Sequence, residues 1–313
     1  LTDFGGQDWI IYHAIDRTRP YLAAAPNGDL PARRAALMDA LDWVEGWPVA
    51  RGGHGASDTE QPAPAAQPGE KSRYEPVLAK RDEPGAVITE ATDDFNGSSL
   101  SAKWSWLRPP PSTSFRVADG QFSFDTQPAD LHVDSDNASV LSQPAPSGDY
   151  LVETKVRLNL PPTSCCHNFV QAGLLIHSDE DNYVKLIQFS NWETRQIAFA
   201  KEVGVVPPGY PRYGETFGGP AAETVWLRIA RRTVGAEEHY TAYSSRDGST
   251  WSRAGTWTHT LGDAARIGLV SMAGGGFTAT DAKGCNAAFE VPRLQRVQQR
   301  DDQARTGGAD RMT

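Results

Sequence analysis

The stretch Tyr150-Leu151-Val152-Glu153-Thr154-Lys155-Val156-Arg157-Leu158 decides the fold. Val152, Thr154, Val156 and Leu158 fall on one face, and Glu153, Lys155 and Arg157 on the other. Successive side chains of a strand point to opposite faces, so this run reads as a half-buried antiparallel strand. Val225-Trp226-Leu227-Arg228-Ile229-Ala230-Arg231 repeats the pattern, with Val225, Leu227 and Ile229 on one side and Trp226, Arg228 and Ala230 on the other. Further strand-like runs recur at 115–117, 121–124, 172–177, 183–189, 196–200, 239–244 and 267–272. Turn signals separate them, among them Ala118-Asp119-Gly120, Asp179-Glu180-Asp181-Asn182 and Arg246-Asp247-Gly248. Many short strands, regular turns and no convincing helix predict an all-β fold over 87–280, a β-sandwich or jelly roll.

The flanks read differently. Trp9-Ile10-Ile11-Tyr12-His13-Ala14, bounded by Gly and Asp, has the signature of a strand, while Arg33 to Val44 alternates weakly and fits helix or strand. About 50 residues with one strong strand are too few to bury a core. Residues 1–50 are therefore expected to be part of something larger, with their apolar strand exposed. Residues 51–86, which include Gln61-Pro62-Ala63-Pro64-Ala65-Ala66-Gln67-Pro68, read as a stiff, extended and disordered linker. Residues 281–313 read as a frayed polar tail in which only Ala288-Phe289-Glu290-Val291 offers a short strand.

Bulk properties bound the function. The chain has 313 residues, 39% of them hydrophobic, and a formal net charge of −9; the mean hydropathy is −0.48. This is the profile of a soluble globular protein. An acidic chain repels phosphate backbones, which argues against nucleic acid as a main partner. No run of about 18 apolar residues exists to span a membrane. The chain begins at Leu1 and shows no signal peptide. Cys165, Cys166 and Cys285, an odd count with one adjacent pair, are not a disulfide framework. They read as inert thiols or as a Cys165–Cys166 vicinal disulfide. No Gly-x-Ser-x-Gly elbow and no phosphate-cradling loop occurs.

Candidate contact residues follow from chemistry. Trp192, in Ser190-Asn191-Trp192-Glu193, is a loop aromatic flanked by polar residues, and such rings stack on sugars. Trp104 and Trp106 precede Pro109-Pro110-Pro111 and either serve the same purpose or staple the N-terminal strand onto the sandwich. His13 reads as a structural side chain of its strand or as a substrate-facing one. Asp3, Asp8 and Asp16 are expected to be solvated turn carboxylates, and Trp251 to pack in a hairpin. Asp93, Asp94 and Asn96 crowd one turn, which suits either a structural Ca²⁺ or an ordinary Asx turn. No cofactor is required.

Two stretches carry a family resemblance. Gly5-Gly6-Gln7-Asp8-Trp9-Ile10-Ile11-Tyr12-His13-Ala14-Ile15-Asp16 and Leu37-Met38-Asp39-Ala40-Leu41-Asp42-Trp43-Val44-Glu45-Gly46-Trp47-Pro48 resemble the end of a glycoside hydrolase family 43 catalytic domain. That family includes arabinanases, arabinofuranosidases and β-xylosidases. Residues 87–280 resemble the concanavalin A-like domain that follows it in many β-xylosidases. The match runs through Asp93-Asp94-Phe95-Asn96-Gly97 with Trp104, Gln171-Ala172-Gly173-Leu174-Leu175 with Asp181-Asn182-Tyr183-Val184, Trp226-Leu227-Arg228-Ile229, and Arg266-Ile267-Gly268-Leu269. The resemblance implies that a concanavalin A-like sandwich follows the closing fragment of a five-bladed β-propeller. It also implies a secreted enzyme that hydrolyses arabinan- or xylan-like plant polysaccharide by inversion with two carboxylates. It places those carboxylates in blades before residue 1, so no catalytic residue is assigned here, and both ends read as those of a truncated or frame-shifted product. The rival readings are a stand-alone carbohydrate-binding module and a purely structural domain.

Overall fold

Aromatic and β-branched residues set β1 (Asp8–Ile15), which pairs with β2 (Arg34–Val44), a strand rich in Ala, Leu and Met; β2 in turn pairs with β3 (Trp47–Ala50), and the three form an antiparallel sheet of their own. The computed structural model describes residues 1–298 apart from 16–20, 24, 25, 29, 30, 32, 45, 58, 162–166, 193, 209 and 275–282. Asp16, Cys165, Cys166 and the last residues of the expected tail, 299–313, lie outside the described residues. The chain continues through β4 (Pro84–Val87), β5 (Ser105–Leu107), β6 (Phe115–Ala118), β7 (Gln121–Asp125), β8 (Leu131–His132), β9 (Ser135–Asp136) and β10 (Val140–Pro144). Then come β11 (Tyr150–Asn159), β12 (Val170–His177), β13 (Tyr183–Asn191), β14 (Thr194–Glu202), β15 (Tyr213–Gly218) and β16 (Thr224–Val234). The series ends with β17 (Glu237–Ser245), β18 (Ser252–Thr258), β19 (Arg266–Ala273) and β20 (Asn286–Val297).

Two antiparallel sheets make the sandwich. The smaller runs β15-β14-β13-β12-β19-β10-β5, and the larger runs β18-β17-β16-β11-β20-β7-β6, with β4 added against the end of β20. Pairing of β11 with β16 sets Val152 opposite Ile229 and Val156 opposite Val225, so the apolar halves of both alternating runs share one face. That face packs on Leu174, Ile176, Leu186, Phe199 and Leu269 of the smaller sheet. Each such fully buried side chain contributes roughly 1.5–3 kcal/mol. The concanavalin A-like sandwich expected from the sequence is the observed architecture.

Three local expectations are corrected. The C-terminal segment is no frayed tail at 286–297: β20 runs for 12 residues between β11 and β7. Its alternation is hidden by a bulge. Lys155 pairs with Glu290 and Glu153 with Arg293, so β20 carries one extra residue, and its inward positions change from Ala287 and Phe289 to Pro292 and Leu294. The 51–86 linker is packed rather than disordered. Asp82 is buried, takes Arg232 Nε at 2.5 Å and accepts from the Tyr243 hydroxyl at 2.8 Å, and Arg253 donates to the Gly53 carbonyl. The β1–β2 strand pair is only half exposed. Trp9 is buried, its indole N–H donates to Asp3 at 2.9 Å, and Tyr74 packs edge-on against it. Tyr74 also donates to buried Asp42 at 2.6 Å. At the other end of the pair, Ile11 (59% exposed) and Met38 face solvent, as expected of a sheet without a partner there.

Candidate functional site

The β13–β14 hairpin holds Trp192 where few tryptophans sit. Asn191 pairs with Thr194, so Trp192 takes the first position of a tight connection, at φ 49°. Hairpins of this length want positive φ and therefore Asn or Gly; a bulky side chain there is an outlier that the surroundings must enforce. The enforcement is visible. Buried Asn168 accepts a hydrogen bond from the Trp192 backbone N–H at 2.7 Å, and the neighbouring Phe169 N–H donates to the Ser190 carbonyl at 2.8 Å. His167 and Phe169, on either side of Asn168, are also left-handed, at 41° and 57°. Three strained non-glycine residues thus gather at one end of the smaller sheet.

That end presents aromatic surface. The Trp192 side chain is 71% exposed and Phe217 56%. Phe169 stacks parallel to Phe189 at 6.5 Å, and Phe189 meets Phe217 at 6.0 Å, which continues the apolar strip onto the outer face of the sheet. Exposed aromatics mark interaction surfaces, and the flat faces of Trp192 and Phe217 suit the apolar side of a sugar ring.

The other residues proposed from sequence do not join this site. Trp104 is 7% exposed, lies against Phe95 at 5.9 Å and donates its indole N–H to Asp93 at 2.8 Å. Trp106 packs between Phe115 and Phe124 at 5.0 and 5.2 Å. Trp104 is thus packed inside the sandwich, as a staple of the N-terminal strand, and its sugar-stacking role is corrected on that ground; Trp106 is half-buried against the same core. His13 is exposed on β1 opposite Ala36, in neither a core nor a cleft with Trp192. Asp93, Asp94 and Asn96 form an Asx turn. Asp93 accepts from Phe95 N–H, Ser101 and Trp104, and Asp94 accepts from Asn96. Burial alone would raise the Asp93 pKa, but those hydrogen bonds outweigh it and hold the carboxyl below its ordinary value. Trp251 is buried beneath the Arg228 guanidinium, as expected of hairpin packing.

Sequence reading missed a buried polar network on the outer face of the smaller sheet, under the β8–β9 hairpin. Lys185 is 2% exposed; its ammonium donates to the Leu131 carbonyl at 3.0 Å and lies near the rings of Tyr183 and Tyr213. Fully buried Glu202 accepts from the Tyr183 hydroxyl at 2.7 Å and the Val133 N–H at 2.9 Å, and faces Arg212 at 3.4 Å. Burial pushes the Lys185 pKa below 10.5, against the opposing pull of Asp130, Glu215 and Glu202. The one sequence signal was a lysine on the apolar run Tyr183-Val184-Lys185-Leu186, which reads equally well as a solvated side chain.

His177 closes β12 in the same face, paired with Tyr183 and Arg266. Burial, then the Arg266 guanidinium, push its imidazole down to about 4 from 6.5. The folded chain keeps this ring neutral, and the unfolded chain protonates it as pH falls below 6.5. Stability present above 6.5 is therefore lost as pH drops through about 4, by up to about 3 kcal/mol. Urea unfolding across this window should show a steeper acid loss for the wild type than for His177→Gln; equal slopes would refute the assignment.

In the three-stranded sheet, Asp39 is fully buried, accepts from the Tyr12 hydroxyl and takes the Ser57 N–H at 2.9 Å. Burial raises its pKa, yet the Ser57 and Tyr12 hydrogen bonds more than reverse this. Burial and the Asp39 carboxylate raise the Tyr12 hydroxyl to about 12. Asp39 is a fixed anion, which is the opposite of what a proton donor needs.

Residues 92–279 match the family described as the beta xylosidase C-terminal concanavalin A-like domain. A protein of Escherichia coli named "Putative beta-xylosidase" is 25% identical over 239 residues, which are 74% of this chain and 39% of that relative. A family 43 protein from Bacillus licheniformis superposes with a TM-score of 0.50 at 17% identity, covering 93% of this chain and 51% of that one. A xylan beta-1,4-xylosidase from Bacillus halodurans does so with a TM-score of 0.50 at 19% identity, covering 95% and 52%. At these identities the solved structures speak to the fold alone. The chain spans about half the length of those structures and 39% of the E. coli relative.

Proposed function

The chain belongs to the family of the beta xylosidase C-terminal concanavalin A-like domain and corresponds to the C-terminal part of a glycoside hydrolase family 43 enzyme; on that premise, we propose that it serves the hydrolysis of arabinan- or xylan-like plant polysaccharide as the accessory β-sandwich of a secreted glycosidase. The observation that carries this reading is the strained, exposed aromatic end at Trp192. A backbone held in the left-handed region by Asn168 to display an indole has a use at the surface, and a polysaccharide chain offers the matching apolar ring faces. Glycosidic hydrolysis by inversion needs a protonated carboxyl and a carboxylate set roughly 6.5–9.5 Å apart across the scissile bond. On the family relationship we assign the chemistry to carboxylates of preceding propeller blades, with β1–β3 as the closing strands of the catalytic propeller.

The purified chain is expected to be retained by insoluble arabinan or xylan and to leave aryl arabinofuranoside and aryl xyloside uncleaved. Turnover would place the hydrolytic carboxylates within these residues and overturn the assignment.

A further inference from the structure

The outer face of the larger sheet carries a groove of ≈ 360 Å³ that takes no part in the site above. Trp226 of β16 lines it together with Glu153 and Lys155 of β11, Asp247 of the β17–β18 turn, and Glu290 and Arg293 of β20. The polar groups are arranged in advance. Glu153 accepts from Arg228 at 2.6 and 3.0 Å, and Glu290 accepts from Lys155 at 3.0 and 3.2 Å. Lys155 also lies 5.2 Å from the centre of the Trp226 ring.

Two backbone features shape the groove. Val291 sits at φ 37°, in the left-handed region that a β-branched residue avoids, at the bulge of β20. Its extra residue separates the Lys155–Glu290 rung from the Glu153–Arg293 rung and re-aims the side chains that line the groove. On the opposite wall, Gly248 adopts φ 75°, and a Cβ there would stand 3.0 Å from the Trp226 indole nitrogen. Glycine lets the turn lie directly against the ring edge.

We propose that this groove binds a neutral oligosaccharide, as a second carbohydrate site separate from the Trp192 end. Charge balance selects the ligand class. Glu153, Glu290 and Asp247 are matched by Lys155 and Arg293 of the lining and by the buried Arg228 paired with Glu153, so neither a polyanion nor a cationic peptide is favoured. A polyhydroxylated chain, by contrast, meets charged donors and acceptors beside the Trp226 ring, which is the composition of a small-ligand site with polar groups at fixed places. The proposal does not depend on the Trp192 reading.

The test follows the indole N–H resonances of the full-length chain during titration with xylohexaose, arabinohexaose, cellohexaose and, as a charged control, an oligogalacturonide. Trp226→Phe identifies the Trp226 signal among nine tryptophans. A saturable shift of that signal with at least one neutral hexasaccharide is expected, larger than with the galacturonide. Arg293→Ala, at an exposed position, should weaken the apparent affinity about tenfold through loss of a charge-assisted hydrogen bond. Trp192→Ala should leave this titration unchanged. The proposal is overturned if no neutral sugar moves the Trp226 signal, if only the galacturonide does, or if Trp192→Ala abolishes the shift while Arg293→Ala does not.

Discussion

Glu202→Ala is expected to lower the unfolding free energy by about 3–5 kcal/mol, because it removes one partner of a buried ionic network and leaves the rest in place. The Val133 N–H loses its acceptor, the Tyr183 hydroxyl keeps only the Leu131 carbonyl, and Arg212 loses one of its three carboxylates. Lys185 then stays buried with fewer opposing charges, since Glu202 is one of the groups that resist the fall in its pKa. The loss should be non-additive. Adding Lys185→Met removes the strained ammonium, and the double variant should recover part of the stability that Glu202→Ala gives up. Lys185 also has a pH signature. Its folded pKa is depressed, so the native state binds fewer protons than the unfolded one between that lowered value and 10.5, and stability rises with pH across the window. Lys185→Met should abolish that rise. Simple additivity in urea unfolding, with pH profiles that coincide, would refute a coupled network under β8–β9.

Phe289→Ala should destabilise the chain by a similar amount, about 3–5 kcal/mol, through the lost apolar contact and the cavity left behind. Phe289 is fully buried on β20, paired with Val156 on one side and Phe122 on the other, its ring 6.0 Å from that of Phe122. A loss below about 1 kcal/mol, within the range of surface substitutions, would mean that β20 is not a buried interior strand of the larger sheet. Phe122 is a useful comparison, because its neighbours Phe95, Trp106, Phe115 and Phe124 close around it within one aromatic cluster.

These two sites mark where sequence reading succeeds and where it stops. Period-two alternation exposes β11 and β16 directly, because one face of each meets the core and the other meets water or charged neighbours. β20 escapes the same reading. The bulge at Val291 shifts its inward positions by one, so Phe289 and Leu294 no longer fall in phase, and only Ala288–Val291 reads as a short strand. Burial of Lys185 rests on a contact with Leu131, far away in sequence, which no local pattern records. Trp104 shows the converse error. A tryptophan before a run of prolines suggests a surface platform, yet Asp93 captures its indole N–H and Phe95 covers its face. Among the proposed contact residues, Trp192 is the one that its local sequence already placed at a hairpin tip. What the sequence withheld was the cause of its exposure, the left-handed backbone pinned by Asn168. The packed course of residues 51–86 was equally hidden, since Asp82, Arg232 and Tyr243 come together only when the larger sheet is assembled.

The most direct test of the central claim is a depletion isotherm on insoluble arabinan and xylan, run in parallel for the wild type and Trp192→Ala. Trp192 is 71% exposed, so the substitution should leave the fold intact. Retention of the wild type by at least one polymer, with an apparent Kd raised about tenfold in the variant, is the expected result. Equal retention of the two proteins, or no retention of the wild type on either polymer, would contradict a glycan-contacting role for the Trp192 end of the sandwich.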